Sequence, residues 1–133
     1  MPRLIFPITC VFAGLALAPL APWAQAQETP FNRCVVEALN SPNPEGQIFA
    51  LSRAKNLARQ AAEAANGGLE FYRAEASMHA PVRESPCTVN ENGSWTFTFK
   101  GNRPGESVMS IESAVTIDPK EWQISVDYNG PVR

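Results

Sequence analysis

The sequence predicts an α+β fold in which one long helix packs on a curved four-stranded antiparallel sheet, with a short N-terminal helix before it. Three observations carry that expectation. Residues 44–66 place Ile48, Leu51, Ala54, Ala58, Ala61, Ala62 and Ala65 at helical spacing. Three later segments alternate apolar and polar side chains with the period of two of a half-buried strand. Between those segments stand runs rich in Gly, Pro, Asn and Asp, which favour turns and so an antiparallel meander.

The first element read along the chain is a leader. "MPR" supplies a positive charge, "LIFPITCVFAGLALAPLA" an apolar core, and "AQA" the small residues of a cleavage site, so residues 1–26 read as a signal peptide cut after Ala26. Pro7, Pro19 and Pro22 break the apolar run, whereas a permanent membrane span needs about 20 uninterrupted apolar residues. No stable membrane insertion is expected after cleavage. "PIT" before Cys10 lacks the Leu-small-small pattern of a lipid-modified cysteine. Residues 27–43 then form an N-terminal arm with a short helix, and residues 44–133 a helix-on-sheet domain.

Removing 26 of the 133 residues leaves 107, the size of one compact domain. With Arg3 gone, 10 basic and 13 acidic side chains remain, a net charge of −3. No basic cluster stands out, so a nucleic-acid or anionic-lipid partner is not expected. Arg53, Lys55 and Arg59 read as a solvated helix face, with Glu63 four residues after Arg59 at ion-pair spacing. Export also removes Cys10, leaving Cys34 and Cys87 to pair as a disulfide in an oxidising compartment, periplasmic or secreted.

In the arm, Thr29 reads as an N-cap and Pro30 as the first helical residue, with Val35, Val36 and Leu39 as the apolar face. "SPNPEG" ends this helix and starts the next, since Asn43, Pro44 and Glu45 form a cap, proline and acid signal, and "NGG" closes it. The stripe of that long helix is mostly alanine, so the opposing surface must supply volume. It does so through Trp95, Phe97 and Phe99 of "SWTFTFK", Met109, Ile111, Val115 and Ile117 of "SVMSIESAVTID", and Trp122, Ile124, Val126 and Tyr128 of "EWQISVDYNG". Of these, Trp95, Phe97, Ile111, Val115, Trp122 and Ile124 are expected to be buried beneath Leu51, Ala58 and Ala62. Ser113 falls on the apolar face and marks a bulge or a close approach of the helix. "LEFYRAEA" is a weaker fourth strand, with Leu69 and Phe71 opposed to Glu70 and Tyr72, and its edge could accept a peptide strand. "NENGS" reads as a hairpin turn with Asn92-Gly93 at its tip.

The stretch "EFYRAEASMHAPVRESPC" contains the chain's one histidine, His79, near Ser77, Ser85, Glu75 and Glu84. These are the residue types of a hydrolytic triad, and a small hydrolase using His79 is the alternative reading. No glycine-bracketed serine elbow accompanies them. The favoured reading of the stretch is a loop joining strands and held by the Cys34–Cys87 disulfide. One histidine and two distant cysteines match no zinc spacing, and no phosphate-binding glycine loop is present, so neither a metal nor a cofactor is expected.

The solvent face of the sheet is the candidate binding surface. Thr96, Thr98, Lys100, Ser110, Glu112, Thr116, Gln123, Ser125 and Asp127 should share it. Such a hydroxyl-rich, nearly neutral face suits a protein, peptide or carbohydrate partner. The order of helix then meander over residues 44–130 resembles the exported cystatin-like and PepSY-like helix-on-sheet domains, which serve as inhibitors or binding modules. "QISVDYNG" departs from the Gln-x-Val-x-Gly hairpin of true cystatins, so protease inhibition does not follow. "NGGLEFYRAEASMHAP", "WTFTFKG" and "VDYNGPVR" are similar to small exported cyanobacterial proteins of unknown function, a resemblance that implies no activity. The expectation is therefore a non-catalytic binding or structural module of the cell envelope or secreted fraction.

Overall fold

The computed structural model describes residues 31–133 together with Gly14; the expected leader and the expected cap at Thr29 and Pro30 lie outside them. Two helices, α1 (Arg33–Leu39) and α2 (Pro44–Ala65), precede five antiparallel strands: β1 (Arg73–Ala74), β2 (Cys87–Val89), β3 (Trp95–Asn102), β4 (Ile111–Asp118) and β5 (Gln123–Pro131). The sheet runs β1-β3-β4-β5, and β2 also pairs with β3 alongside β1. The class is the expected α+β, but the described residues form five strands rather than four.

Asn32 caps α1 by accepting the Val35 amide at 3.0 Å, and its Nδ2 donates to the carbonyls of Val82 at 2.8 Å and Ser85 at 3.0 Å. The cap thus ties the helix to the segment before β2, where the Cys34–Cys87 bond joins the same two elements. Cys34, Val35 and Ala38 face inward, while Val36 and Leu39 are exposed, which corrects the expected face. The helix starts at Arg33 behind Asn32 and not at Pro30, and the buried set is offset by one position from the expected one, a turn of about 100° about the axis.

Helix α2 has the bounds its signals imply: the Asn43 side chain accepts the Gly46 amide at 3.2 Å, and Gly67 at φ 92° ends the helix while the Gly68 amide returns to the Glu63 carbonyl at 2.8 Å. Leu51, Ala54, Ala58 and Ala62 are buried against Phe97, Phe99, Val115 and Ile117 in a single core, and Ala65 is exposed. Lys55, expected on a solvated face, is buried instead, and its ammonium donates to the Ala80 carbonyl. Burial, aided by Arg59, holds its pKa below the ordinary value, with Glu84 acting in the opposite sense. Arg59 and Glu63 form the expected ion pair.

The fourth strand foreseen at residues 69–76 is reduced to Arg73 and Ala74, and its faces are inverted. Leu69 and Phe71 are exposed, whereas Tyr72 is fully buried. The Tyr72 ring lies over Gly101 of β3, in the space that a side chain there would fill. Burial raises the Tyr72 pKa, and Glu75 and Glu63 add to the rise. The Ser113 hydroxyl lies near enough to pull the other way, but it bonds Asn129 Oδ1 at 2.8 Å, leaving Tyr72 Oη without a partner in bonding geometry.

This arrangement has a sign that can be checked. A tyrosine whose folded pKa lies above its ordinary 10.0 contributes stability present below that pH and lost as pH rises through the folded pKa. Unfolding free energies measured from pH 9 upward should therefore fall more steeply for the native protein than for Tyr72→Phe. Parallel curves would place the alkaline loss elsewhere.

Strand β3 buries Trp95, Phe97 and Phe99 as its alternation requires, and β4 buries Ser113, Val115 and Ile117 on the same face. Met109 lies before β4 and is partly exposed. Ser113 itself is regularly paired with Phe99 and Asn129; the bulge lies in β5, where Ala114 pairs with Tyr128 and Val115 with Val126, so Asp127 is an extra residue. This bulge carries Tyr128 to the face opposite Ile124 and Val126, correcting the expected set of four. Ile124 and Val126 do point toward the helix side, paired with Ile117 and Val115, yet they remain 46% and 43% exposed. Trp122 is half-buried at φ 56° and is covered by the Arg53 guanidinium 4.0 Å from its ring centroid.

Candidate functional site

The face of the sheet turned away from α2 is built from alternate residues of three strands. The β3–β4 register sets Thr96 opposite Thr116 and Thr98 opposite Ala114, and the β4–β5 register sets Thr116 opposite Ser125. Their hydroxyls are linked. Asn90 Nδ2 donates to Thr96 Oγ1 at 2.8 Å, Thr96 and Thr116 share a hydrogen bond at 2.7 Å, and Thr116 donates to Asp127 Oδ2 at 2.5 Å. Ser125 donates to the other oxygen, Asp127 Oδ1, at 2.8 Å.

Asp127 is thus the anchor of a chain that crosses β3, β4 and β5. Asp127 stands two residues after Ser125 and so on the same side of the strand, and the bulge adds Tyr128 to that side. A carboxylate that receives two hydroxyl hydrogens is a charge-assisted acceptor, and it orients the hydroxyls of Thr116 and Ser125 toward itself. The arrangement is a polar surface held on strands.

Of three other residues expected on this face, Glu112 and Gln123 stand at its two ends and Ser110 lies outside the sheet. Glu112 lies on it at the far end, where the Arg133 backbone amide at 3.1 Å and guanidinium at 3.2 Å hold its carboxyl below the ordinary range. Arg133 also stacks 3.5 Å from the Tyr128 ring centroid, so that end of the face is covered by protein. Gln123 is exposed opposite Asp118 at the other end. Ser110 precedes β4 and is not part of the sheet. Asp127 stood in the expected face as one of nine residues; its role as the shared acceptor follows from its contacts with Thr116 and Ser125, which alternation alone does not reveal.

The segment before β2 contains the other candidate group. His79 is exposed and lines a cleft of about 520 Å³ together with Glu63, Leu69, Arg73, Asn102 and Met109. Its expected companions are engaged or turned elsewhere. Glu75 Oε1 accepts the Lys100 amide at 2.9 Å, Ser85 Oγ donates to the Val82 carbonyl at 2.7 Å, and Ser77 Oγ is buried without a partner. Among the described residues no hydrogen bond joins His79 to Ser77, Ser85, Glu75 or Glu84. The segment is held from three sides, by Asn32, by Lys55 and by the disulfide, in the manner of a fastened connection between strands.

No family model, curated protein or solved structure matches this chain.

Proposed function

We propose that the chain is an exported, non-catalytic binding module whose contact surface is the polar face around Asp127. The observation that carries this reading is the hydrogen-bonded series Thr96, Thr116, Asp127 and Ser125, which presents oriented oxygens from three adjacent strands. Groups held on strands meet a ligand with little further loss of side-chain freedom. Their near-neutral, hydroxyl-rich character favours an uncharged oligosaccharide or a peptide. The Cys34–Cys87 bond accords with a periplasmic or secreted location, and no helix among the described residues is long and apolar enough to cross a membrane.

Amide chemical shifts recorded while neutral oligosaccharides and unstructured peptides are added test this proposal. Shifts should concentrate at Thr96, Thr116, Ser125 and Asp127, and a Thr96→Lys, Thr116→Lys, Ser125→Lys variant should bind at least tenfold more weakly. Shifts confined to Arg73, His79 and Asn102 would move the site to the cleft and overturn the proposal.

The hydrolase alternative rests on His79 standing at that cleft beside Glu63 and Arg73. Turnover of ester, peptide or glycan substrates that disappears in His79→Ala would favour it over the binding module.

A further inference from the structure

Strand β5 ends the sheet: β4 occupies one of its edges, and no described strand pairs with the other. Residues 123–127 are all exposed. A free edge presents unpaired backbone donors and acceptors, and proteins ordinarily guard it with lysine, proline, a bulge or cover; the bulge here falls at Asp127, at the end of the segment 123–127. Between Gln123 and Tyr128 there is no lysine and no proline, and the helix-side residues are Ile124 and Val126. Helix α2 runs beside this strand, with Arg53 stacked on Trp122 and Asn66 exchanging two amide hydrogen bonds of 3.0 Å with Asn129. Even so, the two apolar side chains between those fastenings stay nearly half exposed, and Phe49, one turn before Arg53, is 69% exposed.

We infer that this edge is an interface for a second copy of the chain, with the two β5 strands pairing antiparallel about a twofold axis at Ser125. The sequence of the strand is self-complementary in that register. Ile124 meets Val126 of the second copy, and Val126 meets its Ile124, on the helix side. On the polar side, each Gln123 amide faces an Asp127 carboxylate and Ser125 faces Ser125. No like charges meet, and both apolar pairs are of the β-branched kind that stabilises neighbouring strands.

The helices agree with this geometry. Helix α2 packs over β4 and β5. With strands about 4.8 Å apart, two such helices would lie about 10 Å from each other across the seam, close to the separation of packed helices. They would run antiparallel, with exposed Phe49 available to fill the space between them. The pairing joins two polar faces into one continuous platform, a consequence that goes beyond the binding reading and does not depend on it.

Sedimentation of the intact protein across a range of concentrations, with and without Ile124→Lys, is the primary test. A dimer is expected, and the lysine should weaken its association at least tenfold while the circular dichroism spectrum and melting temperature of the monomer stay near native. Ser125→Cys supplies a second test, because a residue on the axis can cross-link to its own copy. Oxidation should yield a covalent dimer for Ser125→Cys and far less for Gln123→Cys. A monomer at every concentration, a dimer indifferent to Ile124→Lys, or equal cross-linking at both positions would overturn the inference.

Discussion

Replacing both Cys34 and Cys87 with alanine is expected to lower the unfolding free energy by about 4 kcal/mol, the chain-entropy value for a closed loop of this length. The bond spans 53 positions, and the loop it closes contains α1, α2, β1 and the segment carrying His79. Without it, α1 is a helix of seven residues, too short to persist alone in water. Its remaining attachments are the Asn32 hydrogen bonds and the burial of Val35 and Ala38. Denaturant unfolding of the oxidised protein and the double-alanine variant measures the loss. Hydrogen exchange should show α1 amides freed before those of β3 and β4. A loss under about 1 kcal/mol would mean that Asn32 and Val35 secure the arm by themselves.

Gly101→Ala is expected to cost about 3 kcal/mol, at the upper end of what overpacking a filled core removes. A β-carbon at that position would stand 2.3 Å from Cε2 and 2.5 Å from Cζ of Tyr72. The ring is fully buried, so it has no solvent into which to turn. In a Tyr72→Ala background the same substitution should cost much less, since the obstructing atoms are gone. Equal costs in the two backgrounds would show that Gly101 serves a backbone role and not the seating of the ring. The two sites touch, so the coupling between them is the informative quantity.

Gly101 and Tyr72 also illustrate how far local pattern reaches. "WTFTFKG" is legible as a strand because three aromatic residues alternate with polar ones, and burial follows. The segment around Tyr72 has no such regularity. Leu69 and Phe71 are as apolar as Tyr72, and only the position of the chain leaving α2 and the gap left by a glycine on β3 decide which ring enters the core. Lys55 is a similar case. On the helix it adjoins Ala54 and Ala58 in the core-facing stripe, but its charge reads as solvent until the segment at Ala80 folds over it and accepts its hydrogen bond.

What the sequence determined by itself is whatever depends on neighbours a few residues apart. Capping signals bounded α2, alternation set the faces of β3 and most of β4, Asn92-Gly93 turned the β2–β3 hairpin, and two remaining cysteines implied their bond. These features rest on short-range sterics and periodic hydrophobicity, which are written locally. Tertiary structure alone decided the faces of β5 from Tyr128 onward, because a bulge is defined by the register of a partner strand and one extra residue inverts everything after it. The bulge brings Tyr128 to the polar side, while cross-strand contacts decided that Asp127 anchors the hydroxyls of Thr116 and Ser125, and strand order decided that Ile124 and Val126 stand at an unpaired edge. The candidate surface rests on hydrogen bonds between strands and the candidate interface on there being no described strand beyond β5, and no window along one strand contains either.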